Sequence, residues 1–555
     1  MRHIGPVTAK IMIIGEAPSA SDLERGTPFY GLDKRGEPYF SGTGMVLKEM
    51  LQEAGIDITK CYLTNALSVK PPKSDIDEWV NTKKTPRIGE ITWRGRLVHP
   101  CIPQEQERLM AEIEFLKPDI IITLGNTALW FVTGENGIAK WRGSTIPALD
   151  TKRTKVVAAF HPVLVMRVWK YRYLTVRDFK RGLAESKFPE LRKPAWNFTI
   201  APSPALCQST IDDLLKIVAE RPLKIVIDLE IRYNTILCLG IATSTVDAIC
   251  IPIFDFKGKA WFTELEYIQF TNSLRDLLGH PNIRLCNQNI LFDLQFLYWE
   301  MLIYCKTVYC TMTGGHVIFP SIEKALHTQC SLYSDYYRYW KDDGKFWVGK
   351  VTITDEQLWY YNCEDCVNTF DLWEKQEAVV AVTPSLAYPI SFQMRVLNHV
   401  HRMMLRGVKV DVDLRNKMLG DVMHFISVSE AYVAFCILRD INVNSYVQLA
   451  ELFYTTLAIP PMRNKKKKVS CDETVMKEMA VKYPMVAHLC YAITISRSYS
   501  ITAGAISSGV DKDGRWRCSY IVPGTKTYRF ASKKNAYGTG LNLQNITKGG
   551  EIEVR

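Results

Sequence analysis

Residues 223–231 read LKIVIDLEI, an apolar run that ends on two carboxylates, Asp228 and Glu230, two positions apart. On a strand, residues i and i+2 point to one face, so both acids converge on one spot. Adjacent carboxylates repel unless they share a cation, which makes this strand end a candidate metal site. A solvent-facing acidic strand end is the plain alternative when such a pair stands alone. Here it has company further along the chain. NQNILFDLQFL (287–297) sets Asp293 in an otherwise apolar helical stretch, where a buried unpaired charge would be costly. YYNCEDCVNTFDLW (360–373) carries Tyr361 and Asp365 at i and i+4, on one helix face. Four carboxylates and a tyrosine suit two Mg²⁺ or Mn²⁺ ions and an in-line attack of water on a phosphodiester.

Working outward, three regions separate. Up to about residue 190, short apolar runs (KIMIIG 10–15, CYLTNAL 61–67, DIIITLG 119–125, KVVAAF 155–160) alternate with helical stretches such as GMVLKEMLQEAG 44–55. That alternation predicts an α/β layer on a largely parallel sheet. A proline-punctuated connection, SKFPELRKPAWNFTIAPSPAL (186–206), leads to the second region, about 195–385, which opens on strands and turns helical. The third, 386–555, is mainly helical, holds the basic loop MRNKKKKVS (462–470) and closes with strand-like RWRCSYIVP and KTYRFASK. By itself the Lys465, Lys466, Lys467, Lys468 run is a solvated loop, with phosphate contact the sharper alternative.

The 555 residues exceed one domain, and 47% hydrophobic with 23% charged residues describes a globular chain. Lys and Arg outnumber Asp and Glu by 69 to 58, a net +11 compatible with a polyanionic partner or with solubility alone. An odd count of fifteen cysteines without a framework suits a reducing, cytoplasmic setting. The start MRHIGPVTAKIMIIGEAP has no signal-peptide core, and the sequence shows no uninterrupted apolar run of membrane-spanning length. No membrane partner is expected. Cys363 and Cys366 form a Cys-x-x-Cys, but with no second pair at zinc spacing they read as helix core cysteines.

The acidic motifs of the second region, D-x-E, N-x-x-x-D and Y-x-x-x-D in order, resemble those of the proofreading 3′→5′ exonucleases, with a ribonuclease H-like α/β fold. The resemblance implies that Asp228, Glu230, Asp293 and Asp365 hold two Mg²⁺ (or Mn²⁺) and that Tyr361 orients the attacking water. Gln288 departs from the pattern, standing where relatives often carry histidine.

In the first region, MIIGEAPSASDLERGTPFYG, YLTNAL, IIITLGNTAL and AAFHPVLVMR together resemble the uracil-DNA glycosylase superfamily over most of residues 9–185. That resemblance implies a flipped base stacked on Phe29 and read by the Asn65 amide. It further implies water positioned by Glu16, a departing uracil anion stabilised by His161, and Arg167 near the DNA backbone. Relatives with a Gly-Glu-Ala-Pro-Gly turn bind an iron–sulfur cluster through four cysteines. Here Cys101 is the one candidate ligand and Val69 fills another position, so no cluster is expected. Ser19 replaces the second glycine of the turn.

From residue 386 the chain resembles the DNA polymerase I family (family A). QMRVLNHVHRMMLRGVKVDVD looks like the entry helix, NSYVQLAELFYTTLAIPP and SCDETVMKEMA like the thumb, and the stretch from Ser496 to Ile546 like the approach to the palm. The resemblance implies primer–template contacts from Arg529, Asn542, Gln544 and Asn545, with amides reading minor-groove acceptors common to all base pairs. In that setting Lys465–Lys468 become a phosphate grip. Tyr528 stands where the family has glycine.

The text ends at EIEVR, before the family's catalytic palm aspartates and fingers lysine. The expectation is therefore the N-terminal portion of a large-phage type replicative polymerase, with glycosylase-like, exonuclease and incomplete polymerase regions. It would have no autonomous nucleotidyl transfer, and a second polypeptide would carry the remaining palm and fingers. A truncated chain would read the same. Two other functions stay open: a uracil-excising repair enzyme that uses the rest as a DNA clamp, and a non-catalytic DNA-binding half of a split polymerase.

Overall fold

The computed structural model describes residues 3–545, other than 82–86, 88, 150–153, 307, 345–352 and 508. The terminal EIEVR and Ile546 therefore lie outside the described residues. The chain divides into two compact units, one of residues 1–290 with 300–394, the other of 291–299 with 395–555.

The first unit contains two large sheets. In the first, the strands run Tyr62–Asn65, Ile11–Gly15, Ile120–Leu124, Lys155–Ala159, Thr145–Pro147 in spatial order. The first four are parallel and the last pairs antiparallel. Alternation along Ile11–Gly15 explains why both faces are covered. Met12 and Ile14 enter one core with Ile102, Leu109 and Ile113 of helix Cys101–Leu116. Ile13 enters the other, with Leu47 and Leu51 of helix Gly42–Glu53 and Phe179 of helix Tyr171–Glu185. A parallel sheet covered on both faces is what such continuous apolar strands require.

The second sheet has six strands in the order Asn197–Ile200, Asp247–Pro252, Thr235–Ala242, Leu223–Arg232, Ile283–Asn287, Val308–Cys310. Leu223–Arg232, Thr235–Ala242 and Asp247–Pro252 form an antiparallel meander, and the outer pairs are parallel. The long helix Asp355–Val382 crosses one face and buries Leu358, Cys363, Cys366 and Phe370 against Val226, Cys238 and Cys250. Both cysteines of the Cys-x-x-Cys are fully buried there and unpaired.

In the second unit, Val412–Ile437, Glu473–Lys482 and Ala487–Ile506 enclose a core of Val433, Phe453, Met476, Met479 and Ile493. Helix Val412–Ile437 is long and apolar enough to cross a membrane by length and composition alone, but charged residues interrupt it, so it is not an uninterrupted apolar run. Helix Leu291–Met301 falls almost wholly in this unit rather than with the second region. Its Gln295 accepts from Ser519 Oγ at 3.1 Å and from the Ala536 amide at 3.3 Å, and Phe296 packs on Tyr537 with ring centroids 4.6 Å apart. The run RWRCSYIVP is not one strand. Arg515–Trp516 pairs with Val408–Lys409, and Ser519–Ile521 with Ala531–Lys533. Between them Arg517 turns aside to bond the Leu405 carbonyl at 2.8 Å and both Asp511 and Asp513.

Candidate functional site

The carboxyl ends of the parallel strands build the first site. Glu16 follows strand Ile11–Gly15, Asn65 ends Tyr62–Asn65, and His161 follows Lys155–Ala159. With Phe29, Asp22, Ser41 and Pro71 they line one cavity of about 320 Å³. Open parallel sheets gather ligand sites at this edge because neighbouring connections part there. Strand register makes the site tight. A Cβ at Gly15 would overlap Asn65 Oδ1 and stand 2.8 Å from the Phe29 ring, so glycine lets the two side chains meet over the strand end.

Phe29 sits at φ 63, a left-handed conformation that a bulky residue adopts only when its surroundings impose it. Its amide donates to Asp22 Oδ1 at 3.2 Å, and its carbonyl accepts from Ser41 Oγ at 3.0 Å and the Ser41 amide at 3.1 Å. Asp22 is held in turn by an ion pair with Arg25 and by Ser19, which caps helix Ala20–Arg25 through a capping box. The serine that replaces a turn glycine thus anchors the element that fixes Phe29.

Glu16 Oε1 accepts from the Thr127 amide at 3.1 Å, in the first turn of helix Asn126–Thr133, where backbone N–H groups favour an anion. The Asn65 carbonyl accepts from Arg108 Nη2 at 2.8 Å. His161 Nδ1 accepts from the Val163 amide at 3.3 Å, which leaves its proton on Nε2 in the neutral ring. Burial lowers the pKa of His161, and the nearby charges of Glu16 and Asp22 offset part of that. Arg167 ends helix Pro162–Arg167 with its side chain exposed, apart from the residues lining the cavity.

The second site lies on the second sheet. Asp228, Glu230 and Asp365 offer carboxylate oxygens all within 4.8 Å of one another. Asp228 pairs with Gly240 across the sheet, and a Cβ at Gly240 would overlap Asn362 Oδ1 and approach Cys366 Sγ at 2.6 Å. The glycine therefore admits Asn362, whose Nδ2 donates to Asp228 Oδ2 at 3.1 Å. Asn287 Nδ2 reaches Asp228 Oδ1 at 3.4 Å. Burial, then the Asp365 charge, pushes the Asp228 carboxyl up to about 7. Glu230 is raised well above its usual value by burial and by Asp228. A group of acids held this close and this dry suits a hard cation with oxygen ligands. Asp293, 3% exposed in the first turn of helix Leu291–Met301, is not one of the three.

Tyr361 and Asp365 both project from helix Asp355–Val382. Burial and then Asp365 raise the Tyr361 hydroxyl well above its usual pKa, so it stays protonated. Two neighbours escaped the sequence reading. Trp340 Nε1 donates to Asp365 Oδ1 at 2.7 Å, and Lys341 Nζ lies 2.6 Å from both Asp365 oxygens and 3.2 Å from the Tyr361 hydroxyl. They come from a loop between helices, where neither spacing nor periodicity marks a residue as part of a site.

In the second unit, Lys465–Lys468 are exposed at a turn closed by Asn464, whose amide donates to the Lys468 carbonyl at 2.9 Å. Asn542 accepts from Ser532 Oγ and, at 3.2 Å, from the Gln544 amide, while Gln544 Nε2 donates to the Phe530 carbonyl at 3.1 Å. These two amides are thus engaged in holding their own loop. Arg529 and Asn545 are exposed. Tyr528 adopts a positive φ of 61, the left-handed region that favours glycine.

The family model described as the uracil DNA glycosylase superfamily matches residues 2–186. The type-4 uracil-DNA glycosylase of Thermotoga maritima is 32% identical, aligned over 29% of this chain and 69% of its own length. The DNA polymerase of Bacillus phage SP01 is 23% identical over 96% of this chain, which spans 63% of that relative. Among solved structures, the POL domain of Pol1 from M. smegmatis, in complex with DNA primer-template and dNTP, aligns with a TM-score of 0.47 at 14% identity. That alignment covers 64% of this chain and 57% of the other.

Proposed function

The chain belongs, through residues 2–186, to the uracil-DNA glycosylase superfamily and shares homology with DNA polymerases, and from that premise we propose that it serves replication as a 3′→5′ proofreading exonuclease. The observation that carries this reading is the approach of Asp228, Glu230 and Asp365 to within 4.8 Å. These three would hold Mg²⁺ or Mn²⁺. The metal would supply Lewis-acid polarisation of the phosphate and charge neutralisation. Asn287 and Asn362 fix the Asp228 carboxylate. The neutral Tyr361 hydroxyl orients water for in-line attack, in which a water oxygen bonds to phosphorus as the 3′ oxygen departs. The polymerase homology supports DNA as the substrate class, a 3′ end in this reading, and the exposed Lys465–Lys468 and Arg529 would give phosphate contact without sequence preference. The test is degradation of a 5′-labelled single strand with Mg²⁺. Shortening from the 3′ end that EDTA and Asp228→Asn both abolish supports the reading, and intact DNA with folded protein overturns it.

A second reading, uracil recognition in the first site, is favoured by the convergence of Glu16, Phe29, Asn65 and His161 on one cavity. The base would stack on Phe29 and pair with the Asn65 amide, and His161 Nε2–H would donate to the departing anion. Residues 1–190 contain two cysteines, Cys61 and Cys101, too few for a four-thiolate cluster, so this activity would proceed without one. Release of uracil from single-stranded DNA, lost in Asn65→Ala, would establish it.

A further inference from the structure

We propose that Lys341 is a tethered counter-cation that competes with divalent metal for Asp365, and that the glycosylase-like layer holds it in place. The inference rests on the metal-binding reading of the carboxylate cluster. Three acids within 4.8 Å need positive charge nearby when no metal is bound. The Lys341 ammonium supplies it, 2.6 Å from Asp365 Oδ1 and 2.6 Å from Oδ2, with the Tyr361 oxygen at 3.2 Å. Asp365 Oδ1 also accepts from the Trp340 indole at 2.7 Å. In this arrangement a metal cannot take Asp365 as a full ligand until the ammonium withdraws.

The lysine is mounted from the other sheet. The Tyr339 amide donates to Ser144 Oγ at 3.0 Å, and the Thr145 amide to the Tyr337 carbonyl at 2.9 Å, which docks the loop on the edge strand Thr145–Pro147. The Tyr339 ring meets Trp141 edge-on at 5.3 Å, and Lys140 pairs with Asp342 at 3.2 Å. Residues 140–145 of the glycosylase-like layer thus grip the loop on both sides of Trp340 and Lys341. A lysine held this way does not disperse into solvent as a surface lysine would, although its side chain is 26% exposed.

The experiment is calorimetric titration of the full chain with Mn²⁺ alone, for wild type, Lys341→Met, Lys341→Gln and Lys341→Arg, each with a thermal melt to check folding. Removing the ammonium should tighten Mn²⁺ binding at least about tenfold in both neutral variants, while Lys341→Arg stays near wild type. Adding Asp228→Asn to Lys341→Met should abolish the gain. Equal or weaker binding in the neutral variants overturns the proposal, as does a gain that survives Asp228→Asn. If neither wild type nor the variants take up Mn²⁺ at millimolar concentration, the metal reading itself falls and the inference falls with it.

Discussion

The two sites of the first unit solve opposite electrostatic problems. In the cavity, Glu16, Asn65 and His161 arrive at strand ends and each is met by a hydrogen-bond donor: the Thr127 amide for Glu16, Arg108 for the Asn65 carbonyl, the Val163 amide for His161. In the cluster, like charges are pressed together by one strand and one crossing helix, and the offsetting charge comes from a separate loop. A site made of strand ends follows from chain order, because each strand delivers its next residue to the same edge. A site made of repelling charges needs a compensator that chain order does not specify.

Substitutions can break this contrast, and the largest effect is expected at the charges themselves. On the proposed reading, Asp228→Asn should lower 3′→5′ degradation on the order of a thousandfold, since the reaction would lose a ligand of its charge-neutralising centre, and leave any uracil release unchanged. A parallel fall in both activities would mean that the sites are not independent. The converse, His161→Ala, should cost uracil release on the order of a hundredfold with exonuclease rates intact.

Smaller effects test the packing beneath each site. Gly15→Ala and Gly240→Ala each force a methyl into occupied space, over Asn65 and Phe29 in one case and over Asn362 and Cys366 in the other. Each should destabilise by about 1–3 kcal/mol in denaturant melts, and each should impair its own site more than the other. Equal damage to both activities would show that the strain spreads through the unit.

The smallest effect concerns protons in the cavity. His161 is lowered by burial, against the pull of Glu16 and Asp22, so below pH of about 6.5 the unfolded chain takes a proton that the folded chain refuses. Its contribution to stability is therefore complete above that pH and is lost as pH falls, at no more than about 1.4 kcal/mol per unit. Melting across this range, compared with His161→Gln, should show that part of the slope disappear. An unchanged slope would place the acid sensitivity elsewhere.

Much of the fold was legible in the chain. Apolar runs of four or five residues spaced by helical stretches announced the first sheet, and period-two logic placed Asp228 and Glu230 on one face of their strand. The i, i+4 spacing put Tyr361 and Asp365 on one helix. Less was legible in the second unit. RWRCSYIVP looked like one strand because its β-formers are contiguous, yet Arg517 breaks it by satisfying distant acceptors. The membership of helix Leu291–Met301 was equally hidden, since an apolar helix does not record which core it enters.

By itself, then, the sequence determined which residue types bear chemistry and, through backbone periodicity, which of them share a strand face or a helix face. Those are local properties, set by the geometry of a few consecutive peptide units. The tertiary structure alone decided that Phe29 is pinned at a positive φ by Asp22 and Ser41, that Gly240 opens room for Asn362, and that Lys341 lies against Asp365. These depend on steric fit and charge balance between segments far apart in the chain, which no local pattern encodes.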